Sequence, residues 1–341
     1  MRKYRKQEHI DNFLKAKHQG NTLFDDIFLS HNALPEMNFD EVDTRVSYLG
    51  KPLEFPLMIN AMTGGTEFTY NINRDLGALA HRFKLPIAVG SMTILKEDDD
   101  ARSSFTVVRE ENPHGIILGN LNAFATAEDA KRAVDVLEGD GLQIHLNPGQ
   151  ELIQEEGDRQ FYGVLKNIER LVQSVEVPII VKEVGFGLSP QVIESLYGVG
   201  VRHVDLSGFG GTNFFEVENM RLPHRDYSEL FNWGIPTAYG LIRAKELDLE
   251  GLHITSSGGI RQGLDVVKSL VLGADLVAMS GEILSYLVHG NLDYASEYLE
   301  DLIHKVKIIM TLLGAKNIPE LSQVPWKATG KLRDLLEGRE Y

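Results

Sequence analysis

The sequence predicts an α/β protein built as a (β/α)8 TIM barrel, with an N-terminal lead-in before the barrel and a helical extension after it. Two observations predict this fold. Eight short, apolar, β-branched runs alternate with amphipathic segments from Pro56 onward, which is typical of parallel strands and their crossover helices. After about Asn291 this rhythm gives way to one clear helix and a polar end. We therefore predict a single domain over residues 1–341, with the lead-in at 1–50, the barrel at 51–290 and the extension at 291–341.

The eight runs share an apolar centre and a polar or glycine-rich end. They are PLMINA (56–61), PIAVG (86–90), GIILGN (115–120), LQIHLN (142–147), VPIIVKE (177–183), RHVDLS (202–207), LHITSS (252–257) and ADLVAMS (274–280). Helix-start signals lie between them, such as T-A-E-D from Thr126 and the pair Ser189-Pro190. A doubly wound sheet is the alternative, but no G-x-G-x-x-G follows an early run. The stretch 208–234 interrupts the rhythm, and insertions of this length are often functional lids or disordered segments.

The chain carries a formal net charge of −15 and no cysteine. The charge argues against a nucleic acid or an anionic membrane as a partner, because both require a basic surface. The lack of cysteine excludes disulfides, thiolate nucleophiles and metal sites built on cysteine. The N-terminus lacks the apolar core of a signal peptide, and no apolar run approaches the roughly 20 residues of a membrane span. We expect a cytoplasmic protein.

The ends of the last three runs are rich in glycine and hydroxyl side chains. In a (β/α)8 barrel the active site lies at the carboxyl ends of the strands, and phosphate groups often bind after strands seven and eight. Glycines let backbone N–H groups approach an anion closely, and helix N-termini attract it. For any one glycine pair, a tight turn is the alternative. The combination of Ser207, Thr212, Ser257-Gly258-Gly259, Arg261 and Ser280-Gly281 favours a phosphate site.

Lys182 ends the apolar run PIIVK, so we expect its ammonium group to point into the barrel mouth. There it would stabilise negative charge on a flavin ring or form a Schiff base. A salt bridge with Glu183 or another carboxylate is the alternative.

A second polar group, formed by His145, Asn147, Gln150 and Glu151, follows the fourth run. A single carboxylate cannot hold a metal ion alone, but together with phosphate oxygens and water it would hold Mg²⁺. A hydrogen-bonded core histidine and a solvated carboxylate at a helix start are the alternatives for His145 and Glu151.

Three basic or potentially basic residues, Arg5, Lys6 and His9, lie in the lead-in. They would clamp a diphosphate if this segment folds over the barrel mouth. A solvated tail is the alternative, and physical chemistry alone favours it.

An ordered set of motifs resembles the type 2 isopentenyl diphosphate isomerases. The motifs are R-K-x-x-H at 5–9, L-P-E-M-N-F-D-E-V-D at 34–43, A-M-T-G-G at 61–65, H-L-N-x-x-Q-E at 145–151, V-K-E-V-G at 181–185, S-G-x-G-G-T at 207–212, W-G-I-P-T at 233–237 and S-G-G-I-R-x-G-L-D at 257–265. No single motif is decisive, but the set is specific and runs in order from residue 5 to about residue 281.

The resemblance implies a barrel enzyme that uses reduced FMN and Mg²⁺ to interconvert isopentenyl and dimethylallyl diphosphate, with NADPH as reductant, and that forms a homotetramer or a larger homo-oligomer. It implies that Arg5, Lys6 and His9 hold the diphosphate, that His145, Asn147 and Gln150 line the substrate, and that Glu151 holds Mg²⁺. The residues that the resemblance assigns to FMN are Met62, Thr63, Gly64, Ser91, Asn120, Lys182, Ser207, Thr212, Gly259, Ile260, Arg261, Ser280 and Gly281.

One position departs from the family pattern. Many members have an arginine that binds diphosphate two residues after the serine corresponding to Ser91, where this chain has Thr93. Either Thr93 is sufficient, or Lys96 or Arg102 replaces the arginine.

The side chains near the substrate are poor acids for protonating an alkene, which is a very weak base. Gln150 is an amide, there is no cysteine, and the sequence shows no obvious pair of carboxylates at the site. We therefore expect the flavin to supply the proton chemistry, with Gln150 positioning groups and Lys182 stabilising the anionic flavin. The alternatives are another FMN barrel oxidoreductase of the 2-hydroxy-acid oxidase type, and a non-catalytic barrel that binds a phosphorylated ligand.

Overall fold

The computed structural model describes residues 2–18, 20–222 and 224–338, with side chains from Gln7 onward. Eight parallel strands close into a barrel in which each strand pairs with the next in sequence and the eighth pairs with the first. In chain order the barrel strands are Leu57–Ile59, Ile87–Ala88, Ile117–Asn122, Gly141–His145, Ile179–Lys182, His203–Asp205, His253–Ser257 and Leu276–Met279. Each overlaps one of the eight apolar runs, differing from its bounds by at most two residues where it extends beyond it, so the predicted (β/α)8 fold is confirmed.

The helices surround the barrel and follow the strands. The outer helices are Glu67–Phe83, Ser103–Glu111, Ala127–Leu137, Val164–Ser174, Pro190–Gly198, Thr237–Lys245, Gly263–Val271 and Gly281–His289. Two short helices, Pro148–Ile153 and Phe214–Asn219, lie in the loops after the fourth and sixth strands. Short 3-10 turns occur at Phe24–Asp26, Phe39–Glu41, Met92–Lys96, Asp99–Arg102 and Ser228–Leu230.

The sequence signals for helix starts correspond to real caps. The Thr126 hydroxyl accepts a hydrogen bond from the Asp129 backbone, and the Ser189 hydroxyl accepts one from the Val192 backbone ahead of a first-turn proline. Each bond satisfies one of the free N–H groups in the first turn. The helix after the first strand starts at Glu67 because Thr66 caps it in the same way.

Apolar side chains fill the interior of the barrel at the amino-terminal ends of its strands. Tyr48 and Leu53, from the hairpin formed by Val46–Tyr48 and Lys51–Leu53, pack with Met58, Ile180 and Ala278 inside the barrel. A second and larger apolar cluster lies between the strands and the outer helices. The amino-terminal end of the barrel is therefore closed, and the carboxyl end is left for a site. In the described part of the chain, no helix combines the length and apolarity that crossing a bilayer requires.

The two ends of the chain meet. The lead-in begins with the helix Arg2–Lys15, and its strand Ile27–Leu29 pairs antiparallel with Trp326–Ala328 near the C-terminus. The extension contributes the helices Leu292–Leu313, Ile318–Leu321 and Gly330–Glu337. The Asp26 carboxylate accepts a hydrogen bond from the Leu332 backbone, and the Asp26 carbonyl accepts one from Thr329. The lead-in and the extension thus form one layer against the barrel.

Candidate active site

A cavity of about 540 Å³ opens at the carboxyl ends of the barrel strands. Most of the predicted site residues line it: His9, Met62, Thr63, Ser91, Thr93, Asn120, His145, Asn147, Gln150, Glu151, Lys182, Ser207, Thr212, Gly259, Ile260, Arg261, Ser280 and Gly281. The side chains of Arg5 and Lys6 lie outside the described residues, although their backbone is part of the first helix. Residues from all eight strand ends therefore meet in one place.

Gly64 is the exception among the predicted flavin contacts, because it does not line the cavity. Its backbone has a φ of +152°, and a β-carbon there would collide with the ring of Phe105. The glycine is thus explained by close packing against the helix Ser103–Glu111. The contact of Gly64 with a cofactor stays a prediction.

Lys182 is 5% exposed, and its ammonium group is held by the carbonyl oxygen of Glu183 at 2.5 Å. The Glu183 carboxylate does not pair with it. Instead it accepts hydrogen bonds from the four consecutive backbone N–H groups of residues 184–187. Burial raises the pKa of Glu183 to about 7, against the opposing effect of these donors. A salt bridge between Lys182 and Glu183 is therefore the wrong interpretation, and a buried ammonium group lines the cavity.

His145 faces Lys182 across neighbouring strands, since the two residues are in register. Burial, reinforced by the positive charge of Lys182, lowers the pKa of His145 to about 3. The Nδ1 atom of His145 lies 2.8 Å from the Oδ1 atom of Asn120. His145 is consequently a neutral, hydrogen-bonded imidazole at the edge of the cavity.

The loops after the sixth, seventh and eighth strands pack too closely for side chains at several glycines. A β-carbon at Gly211 would lie 2.6 Å from the backbone nitrogen of Gly259, and Gly258 has a φ of +99° beside the backbone of Gly208. The Arg261 guanidinium donates to the carbonyls of Gly210 at 2.8 Å and Gly259 at 3.1 Å. These contacts hold two glycine loops against each other at the cavity wall.

The helix Gly281–His289 points its N-terminus into the same wall, with Ser280 and Gly281 lining the cavity. Free N–H groups at a helix start and close-packed glycine backbone form a cradle that suits a phosphate group. The arrangement therefore fits the phosphate of a flavin mononucleotide.

The short helix Pro148–Ile153 presents Asn147, Gln150 and Glu151 on the other side of the cavity. The Asn147 amide donates to the Glu151 carboxylate at 2.9 Å and to the Gln150 oxygen at 3.2 Å. The Glu151 carboxylate also accepts from the Asp158 backbone. Among the described residues, no cluster of three His, Asp or Glu side chains is arranged to hold a metal ion.

Glu218 was missed in the sequence, although it is central to this side of the cavity. It is 1% exposed, and its carboxylate accepts hydrogen bonds from Gln150 at 2.8 Å, from Gln154 and from Arg221 at 2.7 Å, while the Nε2 atom of His9 lies 2.8 Å away. Burial alone would raise the pKa of this carboxyl, but its contacts with His9, Gln150 and Arg221 outweigh burial and hold the pKa at about 2. Glu218 is therefore an ionised group that orients Gln150.

The position of Glu218 explains why sequence reasoning overlooked it. It lies in the helix Phe214–Asn219, inside the stretch 208–234 that interrupts the barrel rhythm. The expectation that such a stretch is a functional lid or a disordered segment pointed to the region but not to the residue. The available signal was the segment 215–218, in which two apolar and two acidic residues alternate.

Thr93 lines the cavity, and its hydroxyl lies 3.0 Å from that of Ser91. Lys96 instead pairs with Asp129 at 2.6 Å, and neither Lys96 nor Arg102 lines the cavity. Of the three candidates for the position of the family arginine, only Thr93 is brought to the site by the described structure.

His203 and His253 start the sixth and seventh strands, with their rings stacked at 4.8 Å. Because the cavity lies at the other end of these strands, neither histidine lines it. The catalytic histidine that an oxidase of the 2-hydroxy-acid type would need in these units is thus not found at either position.

The comparisons with known proteins decide the family. A protein of Geobacillus sp. (strain WCH70) named isopentenyl-diphosphate delta-isomerase is 42% identical over 339 residues, covering 99% of this chain and 96% of that one. The proteins with the same name from Bacillus licheniformis and Moorella thermoacetica are 43% and 41% identical, each over 98% of this chain and 96% of theirs. The chain belongs to the isopentenyl-diphosphate delta-isomerase family. A family model described as FMN-dependent dehydrogenase also matches residues 100–326, so the family is one of flavoproteins.

Solved structures support the same fold. A lactate oxidase structure from Pediococcus acidilactici superposes with a TM-score of 0.70 at 16% identity, covering 93% of this chain and 87% of that one. A flavocytochrome b2 variant superposes with a TM-score of 0.71 at 19% identity, covering 98% and 85% of the two chains. At such low identity these likenesses concern the barrel alone, and the isomerase relatives carry the functional comparison.

Proposed function

We propose that this chain interconverts isopentenyl diphosphate and dimethylallyl diphosphate in isoprenoid biosynthesis, using reduced FMN. The observation that carries the proposal is the cavity at the strand ends, where a cradle suited to a phosphate group and the buried ammonium of Lys182 meet the amide of Gln150. His145 has a pKa of about 3 and Glu218 a pKa of about 2, so neither holds a proton to donate near neutral pH. Glu183, whose pKa is about 7, is enclosed by four backbone N–H groups and does not line the cavity. We therefore assign the protonation of the alkene to a cofactor, which the cavity has the features to hold.

The residues that would hold FMN divide into two sets. The phosphate would lie against Ser207, Thr212, Gly259 to Arg261, Ser280 and Gly281, and the ring against Met62, Thr63, Ser91, Asn120 and Lys182. FMN bound there in its reduced form would supply the proton-transfer chemistry that moving a double bond requires. The buried ammonium of Lys182 would stabilise negative charge on the ring. Gln150, oriented by Glu218, would position the reacting carbons, and the neutral His145 and Asn147 would line the substrate.

The diphosphate would lie at the outer side of the cavity. Arg5, Lys6 and His9 would hold it from the first helix, and Thr93 would contact it from the second strand end. Glu151 would bind Mg²⁺ together with diphosphate oxygens and water, which is the usual manner for this ion. This agrees with the described residues, in which no three His, Asp or Glu side chains are arranged to hold a metal ion. The family resemblance adds NADPH as reductant and a homotetramer or larger assembly. The composition and the strand pattern of the sequence add a cytoplasmic location and the division into clamp (1–50), barrel (51–290) and extension (291–341).

The proposal is tested by assaying conversion of isopentenyl diphosphate anaerobically with FMN, NADPH and Mg²⁺, and with each omitted in turn. We expect product that disappears without FMN or Mg²⁺. 5-Deaza-FMN has a carbon atom in place of the ring nitrogen at position 5, so it can bind but cannot exchange a proton there. Replacing FMN by 5-deaza-FMN is expected to abolish turnover. Full activity with the deaza compound would remove the flavin from the proton transfer. A bound, reduced flavin with no product would support the oxidoreductase alternative instead.

The role of Glu151 has its own prediction. We expect Glu151→Gln to raise the Mg²⁺ concentration for half-maximal activity by about tenfold or more, because one anionic oxygen ligand is lost. The measurement is a Mg²⁺ titration of the initial rate at saturating substrate. Glu155→Gln is the matched control, since Glu155 is exposed, carries the same charge and does not line the cavity. An equal Mg²⁺ dependence in the two variants would exclude Glu151 as a ligand.

A further inference from the structure

A continuous line of polar side chains runs beneath the cavity, through the interior of the barrel. The Nδ2 group of Asn60 donates to the Asp205 carboxylate at 2.6 Å, and the Nε2 group of Gln143 donates to the Asn60 oxygen at 2.9 Å. The Nδ2 group of Asn120 donates to the Gln143 oxygen at 3.0 Å, and the Asn120 oxygen lies 2.8 Å from the Nδ1 atom of His145. The line therefore ends on the imidazole ring that borders the cavity.

The donor-to-acceptor direction of the hydrogen bonds along this line is set at the end formed by Asp205 and Asn60. A carboxylate accepts hydrogen bonds, so Asp205 requires the NH2 group of Asn60 to face it. The backbone N–H of Ala61 can only donate, and it donates to the Asn60 oxygen at 2.9 Å. Asn60 is thus fixed on both sides. The second carboxylate oxygen of Asp205 is bound by the Ser257 hydroxyl, which itself accepts from the Ser207 backbone.

The orientation of each side-chain amide fixes that of the next, because an amide has an oxygen that accepts and an NH2 group that donates. The Asn60 oxygen turns the NH2 group of Gln143 toward itself, and the Gln143 oxygen then turns the NH2 group of Asn120. The Asn120 oxygen is left facing His145, so the Nδ1 atom of His145 must carry the hydrogen. A neutral imidazole has a single N–H, and the Nε2 atom of His145 is therefore a hydrogen-bond acceptor.

The three residues that set the direction do not line the cavity. Asn60, Gln143 and Asp205 are 2%, 0% and 0% exposed, while Asn120 and His145 are the members that line it. No described residue forms a hydrogen bond with the Nε2 atom of His145. This atom is consequently available to a ligand in the cavity.

We propose that Gln143 is a positioning residue that holds His145 in its Nδ1–H tautomer, so that Nε2 accepts a hydrogen bond from an N–H or O–H donor on the ligand in the cavity. The effect on the rate rests on the proposed isomerase function. The tautomer itself does not, because it follows from contacts within this chain. A histidine in the other tautomer would present an N–H to the same ligand atom and repel its hydrogen.

The test compares two substitutions at one buried position. Gln143→Glu keeps an oxygen that accepts from Asn120 and, in its neutral form, a hydroxyl that donates to Asn60, so we expect the tautomer of His145 to be retained. Gln143→Met has a similar volume but offers no acceptor, so Asn120 is free to turn and we expect a mixture of tautomers. The measurement is long-range ¹H–¹⁵N NMR of the FMN-loaded protein labelled with ¹⁵N-histidine. The His145 signal is identified as the one missing from the spectrum of the single variant His145→Gln.

The unsubstituted protein supplies the first result, whatever the variants' stability. We expect its His145 to show a protonated Nδ1 and an unprotonated Nε2. With the variants, we expect the kcat of Gln143→Met to fall by at least about tenfold while KM for the diphosphate changes little, as for a group acting on the chemical step. Gln143→Glu should recover most of the rate. An Nε2–H tautomer in the unsubstituted protein, or an unchanged tautomer in Gln143→Met, would overturn the proposal even if the isomerase activity is present.

Discussion

Lys182→Met is expected to lower the kcat for isopentenyl diphosphate isomerisation by a factor on the order of 10² to 10³, the usual effect of removing one buried electrostatic donor from an active site. Lys182 is the buried ammonium group at the cavity, 5% exposed, and its charge also contributes to the low pKa of His145. Removing it takes away the positive charge proposed to stabilise the flavin ring. The measurement is kcat at saturating FMN, together with the visible spectrum of the bound flavin in its reduced state.

Lys268 provides a matched control for this prediction. It is 6% exposed, and its ammonium group donates to the Phe24 carbonyl at 2.7 Å, much as that of Lys182 donates to the Glu183 carbonyl. It lies on the helix Gly263–Val271 and does not line the cavity. We expect Lys268→Met to lower the thermal midpoint while kcat stays within about threefold. If both variants lose activity in proportion to their loss of folded protein, Lys182 has only a structural role.

Glu218→Gln is expected to lower kcat by about 10²-fold or more, because an amide cannot accept from Gln150, Gln154 and Arg221 and also face His9. Gln150 then loses the partner that orients it toward the cavity, and Arg221 keeps Glu8 and Glu156 but loses the carboxylate of Glu218. The measurement is kcat and KM under saturating FMN and Mg²⁺. We expect kcat to respond more strongly than KM.

The same substitution is expected to change the pH dependence of stability. The pKa of Glu218 is held at about 2, below its ordinary value of 4.5, so the folded state is stabilised above pH 4.5 and loses this contribution as the pH falls toward 2. A depression of this size corresponds to about 3 kcal/mol in the free energy of unfolding. Urea unfolding at pH 7 and pH 3 should therefore show a large stability difference between the unsubstituted protein and Glu218→Gln at pH 7, and a smaller one at pH 3.

Glu216→Gln is the control for Glu218→Gln, since both carboxylates lie on the helix Phe214–Asn219 and are buried. Glu216 accepts hydrogen bonds from the backbones of Lys17 and His18 and has no contact with Gln150. Its replacement should loosen the segment after the first helix and affect KM for the diphosphate more than kcat. Equal losses of kcat in the two variants would contradict an orienting role for Glu218.

The fold and the composition of the cavity could be predicted because the relevant signals are local in sequence. Each strand is an apolar run of a few residues, and the polar residue that ends it reaches the cavity by the geometry of a parallel barrel. Lys182, His145 and the glycines after the last three strands were identified in this way. Gly64 is less clear, because the sequence does not distinguish a glycine that approaches a ligand from one that makes room for Phe105.

The contacts that could not be predicted join residues distant in sequence. Glu218 binds Gln150 across 68 residues, and Gln143 binds Asn60 across 83. Both depend on which side chains converge once the barrel is closed, and no spacing rule describes that. A weaker signal was present for the buried line, because Asn60, Gln143 and Asp205 are polar residues inside the runs that predict barrel strands, where an unpaired polar group is costly. Such residues predict a buried network without naming its partners.

The pairing of Ile27–Leu29 with Trp326–Ala328 has a consequence for biosynthesis. The Asp26 carbonyl accepts a hydrogen bond from Thr329, a residue 303 positions later. The strand Ile27–Leu29 therefore cannot pair until the segment around Thr329 has left the ribosome. At a synthesis rate of 5 to 20 residues per second, this delay is roughly a quarter of a minute to a minute. During that interval the nascent lead-in lacks its C-terminal anchor. The strand Ile27–Leu29 is thus translated early but becomes fixed only together with the C-terminal strand that pairs with it.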